Sequence, residues 1–256
     1  MNHRPRRRFG QNFLHDQGII SKILRNIDAR PEQNIIEIGP GQGALTWPLL
    51  AAAGELTVIE IDRDLAAALR QDERGQGLTV IEQDVLTVDF SKLPTSMRIV
   101  GNLPYNISTP LLFHLLTYAE QIQDMYFMLQ AEVVDRMAAA AGSSDYGRLS
   151  IGIQYHCEVE RVLRVPPGCF NPAPKVDSAV VKLTPRPPRW ALQDRKALDR
   201  VVRAAFGQRR KTLRNGLRKL ISDEQFAAVG VDSSWRPQQL AIEDYVKLAN
   251  LVADGQ

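Results

Sequence analysis

The 256-residue chain is 44% apolar and 24% charged with a net charge of +3, values that exclude a disordered or fibrous chain and allow one large domain or two unequal ones. No apolar run approaches the roughly 20 residues needed to cross a bilayer, and the basic opening MNHRPRRRFGQNFL leads into no apolar core or small-residue cleavage site, so a cytoplasmic protein without a membrane partner is expected. Cys157 and Cys169, the two cysteines, fit reduced thiols and form neither a disulfide framework nor a zinc site, so no metal is expected.

The chain starts basic. Four of residues 4 to 8 are Arg, so residues 1–11 read as a basic arm in which Arg6, Arg7 and Arg8 are candidate phosphate contacts. From Asn34 to about Thr184 short apolar runs alternate with amphipathic pieces. NIIEIG, LTVIEID, LTVIEQD, MRIVGN and DMYFMLQ are mostly too continuous to be half exposed, whereas ALTWPLLAAAG, RDLAAALRQ and STPLLFHLLTYAE carry apolar residues at helical spacing. The alternation predicts an α/β fold, a parallel sheet covered by helices on both faces. Further on, VERVLRV and SAVVKL flank the Pro-rich VPPGCFNPAPKVD and are able to pair as an antiparallel edge.

The loop EIGPGQGAL follows the first strand and opens a helix, and Gly39, Gly41 and Gly43 let a ligand lie against bare backbone there. Its spacing is G-x-G-x-G, not the dinucleotide G-x-G-x-x-G. Glu60 closes the second strand, where a carboxylate accepts hydrogen bonds from ribose hydroxyls, as it would in an NAD enzyme too; Asp84 closes the third and suits an exocyclic adenine amine. Taken singly, Glu37, Glu60 and Asp84 are equally well solvated strand ends or helix caps. Acids closing three consecutive strands beside a glycine loop favour a bound nucleoside, and without a pyrophosphate fingerprint S-adenosylmethionine is the cofactor that suits them.

The fourth strand ends in GNLPYNIST. An adenine amine is a weak nucleophile because its lone pair is delocalised into the ring. The side-chain oxygen of Asn102 and a carbonyl near Leu103 supply two acceptors for its N–H groups, Pro104 fixes the turn without a competing N–H, and Tyr105 stacks on the base. A plain turn with a packed tyrosine would have the same composition.

PRPPRW then breaks helix and ladder bonds alike, and DRKALDRVVRAAFG, RRKTLRNGLRKLI and IEDYVKLANLVAD read as helices. The expected organisation is therefore a catalytic domain over 1–185 and a small all-α domain over 186–256. From Arg203 to Lys219, both included, there are seven basic residues and no acid, which makes Arg209, Arg210, Lys211, Arg214 and Arg218 candidate phosphate contacts.

EIGPGQGALT, GNLPYNIST and RRFGQNFL together resemble the ribosomal RNA adenine dimethyltransferase family, and FNPAPKVDSAV followed by AFGQRRKTLRNGL resembles its small-subunit (KsgA) type. The likeness runs from about Arg8 to Leu220. It implies a Rossmann-like class I methyltransferase sheet and S-adenosylmethionine-dependent dimethylation of two adjacent adenosines in the 3′-terminal hairpin loop of 16S ribosomal RNA. It further implies action on a small-subunit (30S) assembly intermediate, by a chain expected to be a monomer. By that resemblance the cofactor is held by Asn12, Leu14, Gly39, Gly41, Glu60, Asp84 and Asn102. Asn102, Leu103, Pro104 and Tyr105 form the target pocket, and Phe170 is the second aromatic wall for an extruded base. Two rivals stay open: a large-subunit adenine dimethyltransferase of the antibiotic-resistance type, from which the basic RRKTLRN and Leu103 in place of Ile lead away, and a non-catalytic assembly factor.

Overall fold

The computed structural model describes residues 11–254, so Arg6, Arg7 and Arg8 lie outside the described residues. The chain divides into two compact units, one formed by residues up to 134 with 157–186, the other by 135–156 with 187 onward. The helical unit thus begins one residue beyond the boundary expected from the prolines and also takes in 135–156, a stretch the sequence assigned to the catalytic domain.

The first unit is built on a seven-stranded sheet. Strands β2 (Ile35–Ile38), β3 (Leu56–Glu60), β4 (Leu78–Glu82), β5 (Met97–Asn102) and β6 (Ile122–Gln130) are parallel, and β9 (Ser178–Pro185) runs antiparallel between β6 and β7 (Cys157–Val165), in the order β4-β3-β2-β5-β6-β9-β7. Helices α2 (Thr46–Ala53), α3 (Arg63–Gln71) and α4 (Ser108–Leu115) connect the parallel strands, so the expected α/β sheet and its antiparallel edge are both present. Position, not composition, decides burial: the pentapeptide LTVIE occurs twice, pairing in register as Leu56↔Leu78 through Glu60↔Glu82. In β3, flanked on both sides, it is almost wholly buried, whereas at the edge in β4 it is half exposed and Glu82 meets Arg70 at 2.8 Å.

Helix α1 (Gln17–Ile27) was not foreseen. Asp16 caps it by accepting from Ile19 N at 2.8 Å, and Ile19, Ile20, Ile23 and Ile27 form its buried stripe. Before it, β1 (Phe13–Leu14) pairs antiparallel with β8 (Phe170–Asn171), with Leu14 opposite Phe170. Deep at the other end of the sheet, Arg98 on β5 makes a two-pronged pair with Asp124 on β6 at 2.9 Å and donates to the Ile27 carbonyl at 2.7 Å, tying the end of α1 to the strands.

The second unit contains α6 (Arg148–Gln154), α7 (Arg195–Gly207), α8 (Leu213–Leu217), α9 (Asp223–Ala228) and α10 (Ile242–Asp254), while α5 (Ala131–Ala138) carries the chain out of the first unit. Tyr146, Leu198, Val201, Leu217, Phe226, Tyr245 and Leu248 share its core. RRKTLRNGLRKLI is not one helix, as the sequence suggested. Thr212 is extended, and the amides of Leu213 and Arg214 go to the carbonyls of Trp235 and Ser233 (2.8 and 2.9 Å), so only a short helix starts there. No helix among the described residues is long and apolar enough to cross a membrane.

Candidate active site

The carboxyl ends of β2 to β5 open onto a cavity of about 320 Å³. Of the residues singled out above, Asn12, Leu14, Gly39, Gly41, Glu60, Asp84, Asn102, Leu103, Pro104 and Tyr105 all line it. The strand ends bring the polar residues together: Glu60 and Asn102 are the last residues of β3 and β5, and Asp84 lies two residues past the end of β4.

The glycine loop is shaped by its neighbours. Gly41 has φ +56° and the Phe13 ring sits 3.0 Å from where a Cβ would stand, while Gly43, at φ +84°, lies so close under the Trp47 indole that any side chain would collide with it. Trp47 is backed in turn by the Arg74 guanidinium, 4.2 Å from its ring centre.

Glu60 is buried, yet its carboxylate keeps acceptor capacity: Oε1 accepts from Asp62 N at 2.9 Å and Oε2 from Gly41 N at 3.2 Å. Burial pushes its carboxyl pKa up while these backbone bonds oppose the rise. Asp84 is both a cap and a wall. One oxygen accepts from Leu86 N at 3.0 Å, which holds the other in place at the cavity.

Asn102 ends β5. Its Nδ2 donates to the Asn12 carbonyl at 2.9 Å, which fixes the amide orientation and leaves Oδ1 as a pure acceptor. Beyond it, Leu103 N is tied to the Met128 carbonyl (3.2 Å) and the Pro104 carbonyl accepts from Ile107 N (3.2 Å), so the turn is rigid, and the Leu103 carbonyl is left without a partner among the described residues. The Tyr105 phenol sits 2.8 Å from Ser178 Oγ, and Ser108 Oγ donates to the Tyr105 carbonyl at 3.1 Å.

Phe170 is the residue the structure does not bring to the cavity. It is 4% exposed and absent from the lining, because its pairing with Leu14 turns it into the apolar cluster that holds Ile20, Ile23 and Val165. The basic residues of the second unit also divide. Arg209 donates to the carbonyls of Ser144 and Tyr146, and Arg214 pairs with Asp223 at 2.9 Å, whereas Arg210, Lys211 and Arg218 are exposed with no partner among the described residues.

Several lining residues escaped the sequence reading. Ile61 is 45% exposed beside Glu60, and with Val85 it offers apolar surface on which a flat ring can lie. Both directly follow a flagged strand-end acid, and that adjacency was the available signal. Glu37, 2% exposed, accepts from Thr46 Oγ1 at 2.6 Å, and burial with the nearby Glu60 charge raises its pKa to about 7. A carboxyl so placed is suited to a cationic ligand group.

Known proteins resemble this chain over most of its length. The family model for ribosomal RNA adenine dimethylase matches residues 2–254. Ribosomal RNA small subunit methyltransferase A of Pseudomonas fluorescens is 55% identical over 98% of this chain and 95% of its own, and that of Pseudomonas aeruginosa is 56% identical over 98% and 96%. Among solved structures, a dimethyladenosine transferase from Plasmodium falciparum superposes with a TM-score of 0.79 at 27% identity, covering 92% of this chain and 95% of that one. The 23S rRNA methyltransferase ErmE gives 0.72 at 27% identity over 94% and 100%. A glycine loop on a buried strand, three acids at successive strand ends and an oriented Asn-Leu-Pro-Tyr amide thus occur in a chain that belongs to the ribosomal RNA adenine dimethylase family.

Proposed function

We propose that this chain uses S-adenosylmethionine to convert two adjacent adenosines in the 3′-terminal hairpin loop of 16S ribosomal RNA to N6,N6-dimethyladenosine, on a small-subunit assembly intermediate. The observation that carries the reading is the Asn102 amide, held by the Asn12 carbonyl so that Oδ1 can only accept.

The residues present fit the cofactor. The remaining acceptor capacity of Glu60 suits ribose hydroxyls, the second oxygen of Asp84 an exocyclic amine, Ile61 and Val85 the faces of a purine, and Glu37 a positive charge. Bound there, the cofactor would supply a methyl group activated by its sulfonium, with sulfur as the group that would take the C–S electron pair.

The chain's own contribution is orientation. Asn102 Oδ1 and the Leu103 carbonyl accept the two N–H bonds of the target amine and draw its lone pair out of conjugation; Pro104 keeps that carbonyl in place; Tyr105 offers a ring to the base. After transfer the surplus proton leaves to water. In the second round the amine has a single N–H, so one acceptor suffices.

Methylation of purified small subunits that lack the mark, with the product mapped by mass spectrometry, tests the reading. Dimethyladenosine at two adjacent small-subunit positions is expected, and a mark on large-subunit RNA alone would overturn it in favour of the other substrate class.

A further inference from the structure

The second unit carries one exposed large apolar side chain among the described residues: Trp235, at 42% exposure. We propose that Trp235 and the basic turn beside it form a stacking platform for an unpaired nucleotide of the RNA, a site that rests on the function proposed above.

The turn that carries the ring is fastened in place. Asp232 Oδ1 accepts from Ser234 N at 2.8 Å, the Asp232 carbonyl accepts from Trp235 N at 3.2 Å, and Gln239 Oε1 accepts from Arg236 N at 2.8 Å. The carbonyls of Ser233 and Trp235 take the amides of Arg214 and Leu213, which fastens the turn to the start of α8. The backbone on both sides of the indole is therefore tied, which limits the ordering entropy lost when the ring meets a flat partner.

The charge around it is positive. Arg236 follows Trp235 and is exposed, and the segment fastened to the turn carries Arg210, Lys211 and Arg218, which have no partner among the described residues. The acids nearby are already engaged: Asp223 pairs with Arg214, and Asp232 caps its own turn, its carboxyl held below the usual range by the Ser234 hydrogen bonds. A lone aromatic among cations matches a base with its phosphate, since base stacking accepts any sequence and the cations follow the backbone. A protein partner would call for a wider apolar patch.

The experiment compares the full chain with Trp235→Ala and Trp235→Phe, each checked for unchanged thermal melting, on a single-stranded oligoadenylate and on a blunt RNA duplex of equal length at several salt concentrations. The expected result is about a tenfold loss of oligoadenylate affinity for Trp235→Ala, a loss under about threefold for Trp235→Phe, and no change on the duplex. The salt dependence should keep its slope in both variants, and the tryptophan quenching of the native chain on oligoadenylate should shrink in Trp235→Phe. Equal losses on both RNAs, an unaltered affinity, or a changed self-association in place of a changed RNA affinity overturns the platform while leaving the proposed function standing. No RNA binding by the native chain on either probe or on small subunits overturns both.

Discussion

The side-chain amide of Asn102 donates to the main-chain carbonyl of Asn12, 2.9 Å away and 90 residues earlier in the chain. A segment that lines the cavity thereby sets which atom of the amide remains an acceptor. Asn102→Ala removes both the acceptor and the tie, and Asn102→Asp keeps the oxygens but has no N–H for Asn12. Both should lower methylation about 100-fold or more while small-subunit binding persists. Single-turnover methylation beside a binding assay checks it, and near-native turnover in either variant counts against the assigned role.

Tyr105 depends on a residue from a distant strand. Its phenol meets Ser178 Oγ at 2.8 Å, and Ser178 is wholly buried on β9. Ser178→Ala should leave the phenol unpaired and lower methylation about tenfold, Ser178→Thr should recover most of it, and Ser178→Ala should add little in a Tyr105→Phe background. Additive losses in that double-mutant cycle would refute the coupling.

Glu37 should make cofactor affinity depend on pH. Burial, opposed by the Thr46 hydrogen bond and reinforced by Glu60, raises its pKa from 4.5 to about 7 in the folded chain. A raised carboxyl favours folding below its unfolded value, and that stabilisation is lost as pH climbs through the folded one. The ligand-free chain should therefore lose stability between pH 4.5 and about 7, and Glu37→Gln should flatten the profile. Cationic cofactor prefers the ionised carboxyl, so binding at pH 6 should release a proton, a quantity read by calorimetry in buffers of different ionisation enthalpy.

The Arg98–Asp124 pair is buried on both sides. Removing one partner strands the other in the interior, so Asp124→Asn should cost about 3–5 kcal/mol of stability. Urea unfolding measures it, and a midpoint unchanged from the native chain would contradict the assignment.

The basic residues of the second unit should not behave alike. Arg210→Ala and Lys211→Ala should each reduce the salt slope of RNA binding by about 0.7 to 0.9 without loss of stability. Arg209→Ala should instead lower the melting temperature, because its guanidinium holds the carbonyls of Ser144 and Tyr146.

What the sequence revealed follows from what its residues can do alone. The strands of the parallel sheet were legible because unbroken aliphatic runs have few other homes, and the cavity was legible because its polar residues close those runs. Helix α1 left a readable signal, Asp16 ahead of an isoleucine stripe, that went unused. The pairing of β1 with β8 left none, since strands of two residues exist only through their partner. That pairing is also why Phe170, an aromatic in a Pro-rich loop, reads as a wall yet lies in the core. Nor does composition shift at 135–156, so its membership in the helical unit is decided by packing with α7, not by any local mark.

The ribbon of β1 and β8 makes spacing matter more than residue choice at the start of the fold. Side chains alternate along it, with Phe13 against Gly41 and Leu14 in the core beside Phe170. Deleting a single residue between Asn12 and Asp16 would exchange those two destinations, pull the Asn12 carbonyl off Asn102 and unseat Phe170 together, whereas Leu14→Met, which preserves length and volume, should pass almost unnoticed.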